Sequence, residues 1–183
     1  MHYEIVRSGR KTISLQMTPN GLIVRAPLTA GAAEVDRVVQ KHRAWIEKQE
    51  QKLAESERAL AEQGPLTREE IQKLAEEALR VIPARVAFFA PLAGVTYGRI
   101  TIRSQRSRWG SCSSRGNLNF NCLLMLAPPE VLDSVVVHEL CHRLEPNHSE
   151  RFYAQVLRVY PNFWACQKWL KDNGPLLMRR MTG

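Results

Sequence analysis

The residues whose types and spacing could do chemistry lie between positions 138 and 148. His138, Glu139 and His142 form the pattern His-Glu-x-x-His. On a helix, the two histidines lie only about 40° apart around the axis, so both imidazoles can reach one metal ion. Glu139 lies about a quarter-turn away, close enough to contact a water beside that ion. This spacing predicts a zinc centre with a glutamate general base.

A third ligand is expected because catalytic zinc usually takes three protein ligands and keeps one position open. His148 follows His142 by six positions, the interval of the extended pattern HExxHxxGxxH. Glu145 stands where that pattern has glycine, so we expect Pro146 and Asn147 to make the turn. The metal prediction is therefore His138, His142 and His148. The alternative is a cluster of structural histidines.

The helix that must position these residues is predicted to open at Pro128-Pro129 and to end near Leu144, with Leu144 on its apolar face. Asn147 and Glu150 have the spacing of a capping box for the next helix. A last helix is predicted over residues 163–171, ending at an Asn-Gly signal, with a frayed basic tail over residues 175–183.

The N-terminal part, residues 1–63, is predicted to be an antiparallel β-meander of strands 3–8, 11–17 and 22–26, followed by one long helix over residues 32–61. Gly64-Pro65 reads as a linker. The second part, residues 64–183, begins with a capping box at Thr67 to Glu70. A strand at 99–104, a strand at 117–121 that pairs back as a hairpin, and a short strand at 123–127 complete an α+β pattern.

Composition narrows the protein class. The chain has 183 residues, of which 44% are hydrophobic, enough for a domain with a real core. No apolar run approaches the roughly 18 residues that span a bilayer, and the first residues do not form a signal peptide. The four cysteines form no CxxC pair and are expected to be free thiols. We therefore expect a cytoplasmic protein without a membrane segment.

The chain is basic, with a net charge of +8 and a pI near 9.7. Such a surface attracts anions, which include nucleic acid, nucleotides and acidic peptides. The basic residues are dispersed along the sequence, so a merely soluble basic surface is an equally good interpretation.

Four segments together resemble a known family. They are SRWGSCS at 107–113, LAPPE at 126–130, HELCH at 138–142 and NHS at 147–149. The combination is similar to the YgjP-like metallopeptidase-domain proteins, relatives of the SprT-like zincins. This resemblance implies a compact zincin-like α+β fold, zinc on the three histidines, a catalytic Glu139 and a peptide or protein substrate.

The resemblance also suggests that the strand containing Arg108, Trp109 and Gly110 lines the cleft. A peptide could pair with the edge of that strand, and Gly110 would allow a close backbone approach. In the alternative, Trp109 is a core aromatic residue and Arg108 a structural ion-pair partner. Tyr153, Arg151 or Arg108 could stabilise the oxyanion, and their spacing does not select among them.

The leading hypothesis is a zinc-dependent metallopeptidase of the HExxH type. A nucleoside-triphosphate pyrophosphatase is the first rival, since relatives carry that label and Arg103, Arg106 and Arg108 could bind phosphates. The sequence has neither a Walker-type loop nor a carboxylate cluster suited to magnesium. A SprT-like protease associated with nucleic acid is the third reading, and a non-catalytic binding domain is the least favoured.

Overall fold

The computed structural model describes residues 3–18 and 20–181, apart from the side chains of Ser56 and Leu60. It consists of helices and two small sheets, which confirms the predicted α+β class. The chain divides into two compact units, Met1–Glu62 and Gln63–Gly183. Among the described residues, none of the helices is long and apolar enough to cross a membrane.

The first unit begins with a three-stranded mixed sheet. Its strands are β1 (Tyr3–Ser8), β2 (Ser14–Thr18) and β3 (Gly21–Pro27), in the order β1-β3-β2. The hairpin of β2 and β3 is antiparallel, but β1 pairs parallel to β3. The prediction of an antiparallel meander is therefore wrong for β1. The chain between β1 and β3 includes β2 and is long enough to form the crossover that parallel neighbours require.

The predicted long helix of the first unit is two helices, α1 (Ala32–Lys41) and α2 (Arg43–Gln63). His42 lies between them with φ −104° and ψ 16°. Its ring Nδ1 lies 2.8 Å from the carbonyl oxygen of Val38, so the side chain competes for a carbonyl of the preceding turn. The core of this unit consists of apolar side chains from β3, α1 and α2, namely Leu22, Val24, Ala26, Ala30, Val35, Val39 and Ile46.

The second unit begins with α3 (Arg68–Ala93), and its N-terminus confirms the predicted capping box. The backbone N–H of Glu70 donates to Thr67 Oγ1 at 3.2 Å, and the N–H of Thr67 donates to the Glu70 carboxylate at 2.7 Å. One face of α3 is buried and contributes Ala78, Ile82, Val86, Phe89, Ala90 and Ala93 to the core of this unit.

A second three-stranded sheet follows, with β4 (Ile100–Arg103), β5 (Gly110–Cys112) and β6 (Leu118–Asn121) in the order β4-β6-β5. The hairpin is formed by β5 and β6, which are antiparallel, whereas β4 is parallel to β6. The short strand predicted over residues 123–127 is wrong. Cys122–Leu126 forms a 3₁₀ helix, because the Asn121 side chain accepts the Leu123 N–H at 3.1 Å and caps a helical turn.

The remaining helices are α4 (Pro129–Cys141), α5 (Glu150–Val159) and α6 (Phe163–Arg179). Helix α4 is buried on most of its surface, and it ends at Cys141 rather than near Leu144. Leu144 is 43% exposed and lies outside the core, contrary to prediction. Ser149, and not Asn147, caps α5 by accepting the N–H of Phe152 at 3.3 Å.

Helix α6 continues through the predicted Asn173-Gly174 stop to Arg179, so the tail is not frayed over its described part. Two tertiary contacts explain the difference. A Cβ added at Gly174 would lie 3.1 Å from the Trp109 ring, so the glycine allows the indole to pack closely on the helix. The Leu66 N–H donates to the Arg180 carbonyl at 2.8 Å. Packing therefore overrides the local stop signal.

An ion pair joins α3 to α4. The Arg85 guanidinium donates to both carboxylate oxygens of Asp133, with Nε–Oδ1 at 2.6 Å and Nη2–Oδ2 at 2.7 Å. The Asp133 side chain is 14% exposed and that of Arg85 is 37% exposed. This two-point contact fixes the middle of α4 against its neighbour.

We expect Asp133→Asn to lower the free energy of unfolding by about 1–2 kcal/mol, because it removes a partly buried charge-assisted pair. Urea denaturation measures this change, and a double-mutant cycle with Arg85→Gln isolates the pair. Lys73→Gln is the control, since the Lys73–Glu69 pair is 71% and 78% exposed. Its loss should change stability by less than about 0.5 kcal/mol. Equal effects at the two pairs would contradict a stabilising role for the Arg85–Asp133 contact.

Candidate metal centre

Three imidazoles converge at the C-terminal end of α4. His138 lies in the last turn of α4, His142 is its C-cap residue, and His148 lies just before the cap of α5. The Nε2 atom of His138 is 3.2 Å from that of His142 and 3.0 Å from that of His148. The structure thus brings together all three histidines singled out by the sequence.

These residues fit a zinc-type cation. Zn–N bonds of about 2.0–2.1 Å in a tetrahedral site place neighbouring ligand nitrogens about 3.3–3.4 Å apart. The two short Nε2 separations, 3.2 and 3.0 Å, are close to that spacing. Imidazole is a preferred ligand of zinc and of neighbouring transition metals, so the donor set is chemically suited to one such ion.

The protonation of the imidazoles also suits metal binding. The Nδ1 atom of His142 lies 3.2 Å from the Glu145 carbonyl oxygen. An N–H at Nδ1 donating to that oxygen leaves the Nε2 lone pair directed at the centre. Burial, followed by the neighbouring His142 and His148, lowers the pKa of His138 to about 3. The His138 ring is therefore neutral at ordinary pH, which is the state a metal ligand requires.

One buried ring contacts the whole triad. Phe152, on the first turn of α5, lies with its centroid 4.5 Å from that of His142, 4.9 Å from His138 and 5.0 Å from His148. Phe163 stacks on His138 at 5.9 Å with an interplanar angle of 14°. These rings pack against the imidazoles and restrict the orientations that the imidazole planes can adopt. Neither Phe152 nor Phe163 could be singled out from the sequence, because a phenylalanine in an apolar helix pattern carries no sign of a contact with metal ligands.

The catalytic candidate Glu139 is 5% exposed. Burial raises the pKa of Glu139 to about 8, against the smaller opposing effect of the Arg108 charge. Its Oε2 atom has no hydrogen-bond partner among the described residues. A Cβ at Gly110 would lie 2.6 Å from Glu139 Oε1, so the glycine in β5 provides the space that the carboxylate occupies. The close approach that the structure shows at Gly110 is that of the Glu139 side chain, while the predicted approach of a peptide backbone stays a prediction.

The other predicted residues differ in what they contact. Tyr153 stacks beside His148, with centroids 6.2 Å apart and an interplanar angle of 27°. Arg108 is exposed and near enough for its charge to act on Glu139. Trp109 is half-buried against Gly174 and the apolar cluster of Leu66 and Leu123, which favours its interpretation as a core aromatic residue.

Comparison with known proteins identifies the family. A family model described as YgjP-like, metallopeptidase domain, matches residues 11–72 and 66–173. The metallopeptidase zymogen abylysin of Pyrococcus abyssi is 16% identical, with a TM-score of 0.46 over 50% of this chain and 93% of that one. The zymogen jannalysin of Methanocaldococcus jannaschii is 20% identical, with a TM-score of 0.45 over 53% and 98% of the two chains. None of the curated protein sequences matches this chain.

We expect His148→Ala to weaken zinc binding by at least about 100-fold, since loss of a direct ligand should exceed the usual loss for outer-shell partners. Calorimetric titration with zinc, in competition with a chelator, measures the affinity. His42→Ala is the matched control, because His42 lies between α1 and α2 of the other unit and contacts the Val38 carbonyl. Unchanged zinc affinity in His148→Ala would remove this residue from the ligand set.

Gly110→Ala should disturb the centre without changing its ligands. The added methyl group would overlap the Glu139 carboxylate, and we expect a loss of about 1–3 kcal/mol in the free energy of unfolding. Denaturant titration measures it, with Gly9→Ala as the control because a Cβ there meets nothing within 4 Å. Full stability of Gly110→Ala would show that the carboxylate moves aside easily.

Proposed function

As this chain belongs to the YgjP-like metallopeptidase-domain family, we propose that it is a zinc-dependent metallopeptidase in which Glu139 is the general base. The observation that carries the proposal is the convergence of the His138, His142 and His148 Nε2 atoms at the end of a helix that also carries the buried Glu139. His138, His142 and His148 would hold the metal. Bound there, zinc would polarise the scissile carbonyl and lower the pKa of the attacking water towards about 7.

Glu139 would accept a proton from the attacking water and deliver it to the leaving amine. Burial raises the pKa of this carboxyl, which makes its ionised form a stronger proton acceptor than an exposed carboxylate. Gly110 on β5 leaves the space that the Glu139 carboxylate occupies, because a Cβ there would lie 2.6 Å from Glu139 Oε1. Helix α4 would therefore supply the proton acceptor, and the neighbouring strand β5 would leave room for it.

We place the peptide substrate along β5, which is an edge strand of its sheet. The Trp109 carbonyl and the Ser113 N–H are bonded on the side of β6. Because backbone groups alternate along an antiparallel strand, those of Gly110 and Cys112 face the open edge. An extended peptide can pair with them by β-augmentation, which would place its backbone beside Glu139.

The Tyr153 hydroxyl is our candidate for stabilising the oxyanion. The Tyr153 ring lies beside that of His148. Tyr153 directly follows Phe152, whose ring contacts all three imidazoles. A phenol donor beside the metal ligands could hydrogen-bond to the developing negative charge. Arg108 and Arg151 are the other candidates from the sequence, and both are exposed.

We also propose that the protein acts in the reducing cytoplasm. All four cysteines are free thiols, and Cys122, Cys141 and Cys166 are buried in the core. Burial raises the pKa of Cys141 to about 11, so this thiol is protonated and behaves as a small apolar side chain.

We expect Glu139→Gln to bind zinc as tightly as the wild type and to lose at least about 100-fold in turnover, because the proton acceptor is gone. Zinc-loaded protein is assayed on unfolded casein and, in parallel, on nucleoside triphosphates. Retained casein turnover in the metal-replete variant would remove Glu139 from the mechanism. Turnover of triphosphates that depends on Glu139 would favour the pyrophosphatase alternative.

A further inference from the structure

A row of aromatic rings leads from the metal centre to the surface. The Tyr153 ring lies 6.2 Å from that of His148, and the Trp164 ring lies 4.9 Å from that of Tyr153 at an interplanar angle of 37°. Trp164 is 53% exposed, although tryptophan is usually buried to a large extent. We call Tyr153 and Trp164 the aromatic ledge.

The connection between α5 and α6 builds the ledge. Tyr160 caps the end of α5, where its backbone N–H donates to the Val156 carbonyl. The Tyr160 carbonyl in turn accepts the N–H of Phe163 at 3.1 Å. This short turn places two consecutive rings in different surroundings. Phe163 is buried against His138, whereas Trp164 lies outside it and reaches Tyr153. The exposed indole of α6 thus lies between the Phe163 ring, 5.2 Å away, and the Tyr153 ring of α5.

We propose that the aromatic ledge is a specificity subsite that binds a large apolar side chain of the peptide substrate next to the scissile bond. This inference rests on the proposed peptidase function. The location of the ledge supports this inference, because its Tyr153 ring stacks beside the ring of the metal-ligand candidate His148. Rigid aromatic surfaces bind apolar side chains at low cost in conformational entropy, and tryptophan is enriched at binding hot spots.

Charge around the ledge also favours an apolar ligand. Lys168, one helical turn after Trp164, forms an ion pair with Asp172 at 2.8 Å, so its charge is already balanced. Another exposed aromatic residue of this unit is arranged differently. Phe88 is 55% exposed, but it packs edge-on against Phe89 and carries the Arg85 guanidinium 5.0 Å above its ring. Phe88 therefore provides a matched control for loss of an exposed ring.

The test measures binding separately from catalysis. Zinc-loaded Glu139→Gln protein is titrated with fluorescent peptides that differ only in carrying Phe, Leu or Ala at successive positions, and binding is followed by anisotropy. We expect Phe or Leu at one position to bind about tenfold tighter than Ala. Adding Trp164→Ala should abolish this preference, Trp164→Phe should restore part of it, and Phe88→Ala should leave it intact. A preference that survives Trp164→Ala overturns the subsite.

Cleavage of a peptide mixture, mapped by mass spectrometry, distinguishes failure of the proposed peptidase function from failure of the proposed subsite. If the zinc-loaded wild type cleaves no peptide, the proposed peptidase function fails. If it cleaves but Trp164→Ala leaves the residues flanking the cut unchanged, only the subsite fails. Tyr153→Phe keeps the ring and removes the hydroxyl, so it should retain the apolar preference. Single-stranded oligonucleotide binding that is lost in Trp164→Ala would assign the ledge to nucleic acid and overturn the proposal.

Discussion

The second unit depends on holding polar atoms inside an apolar helix. Helix α4 buries Val135, Val136, Val137 and Leu140, and the same helix carries His138 and Glu139. Burying a polar atom without a partner costs about 1–3 kcal/mol. His138 Nδ1 and Glu139 Oε2 have no such partner in the described part of the chain. The apolar packing of α4 must offset that cost, and unsatisfied atoms of this kind are typical of sites that bind or react.

The structure meets this constraint by anchoring α4 at two points, one within the helix and one just beyond its C-terminal end. Arg85 holds Asp133 in the middle of α4. Beyond its end, the Arg143 guanidinium donates to the carbonyls of Thr96 and Ser114, which ties the segment to the turn between β5 and β6. A Cβ at Gly116 in that turn would lie 2.7 Å from Arg143 Nε, so the glycine admits the side chain. The loop that carries the ligands is therefore attached to the strand that faces Glu139.

The sequence could predict those parts of the site that local geometry determines. His138 and His142 follow from helical periodicity alone, and the capping box at Thr67 follows from a four-residue pattern. The parts that it could not predict depend on distant contacts. Phe152 meets the triad because α5 packs on α4, and α6 passes its expected stop because Trp109 lies on Gly174. The parallel pairing of β1 likewise depends on where β3 lies, which no local pattern encodes.

Helix α5 links the two halves of the proposed site. Ser149 caps it directly after His148, so the first helical turn and the third imidazole share one short segment. Phe152 and Tyr153 are consecutive, and side chains one residue apart on a helix point about 100° apart. Phe152 is consequently buried under the imidazoles while Tyr153 leads towards Trp164. A shift of α5 by one residue would move Phe152 away from the three imidazoles and would move the aromatic ledge away from His148. The register of this helix therefore determines both the packing of the ligands and the distance from the metal centre to the proposed subsite.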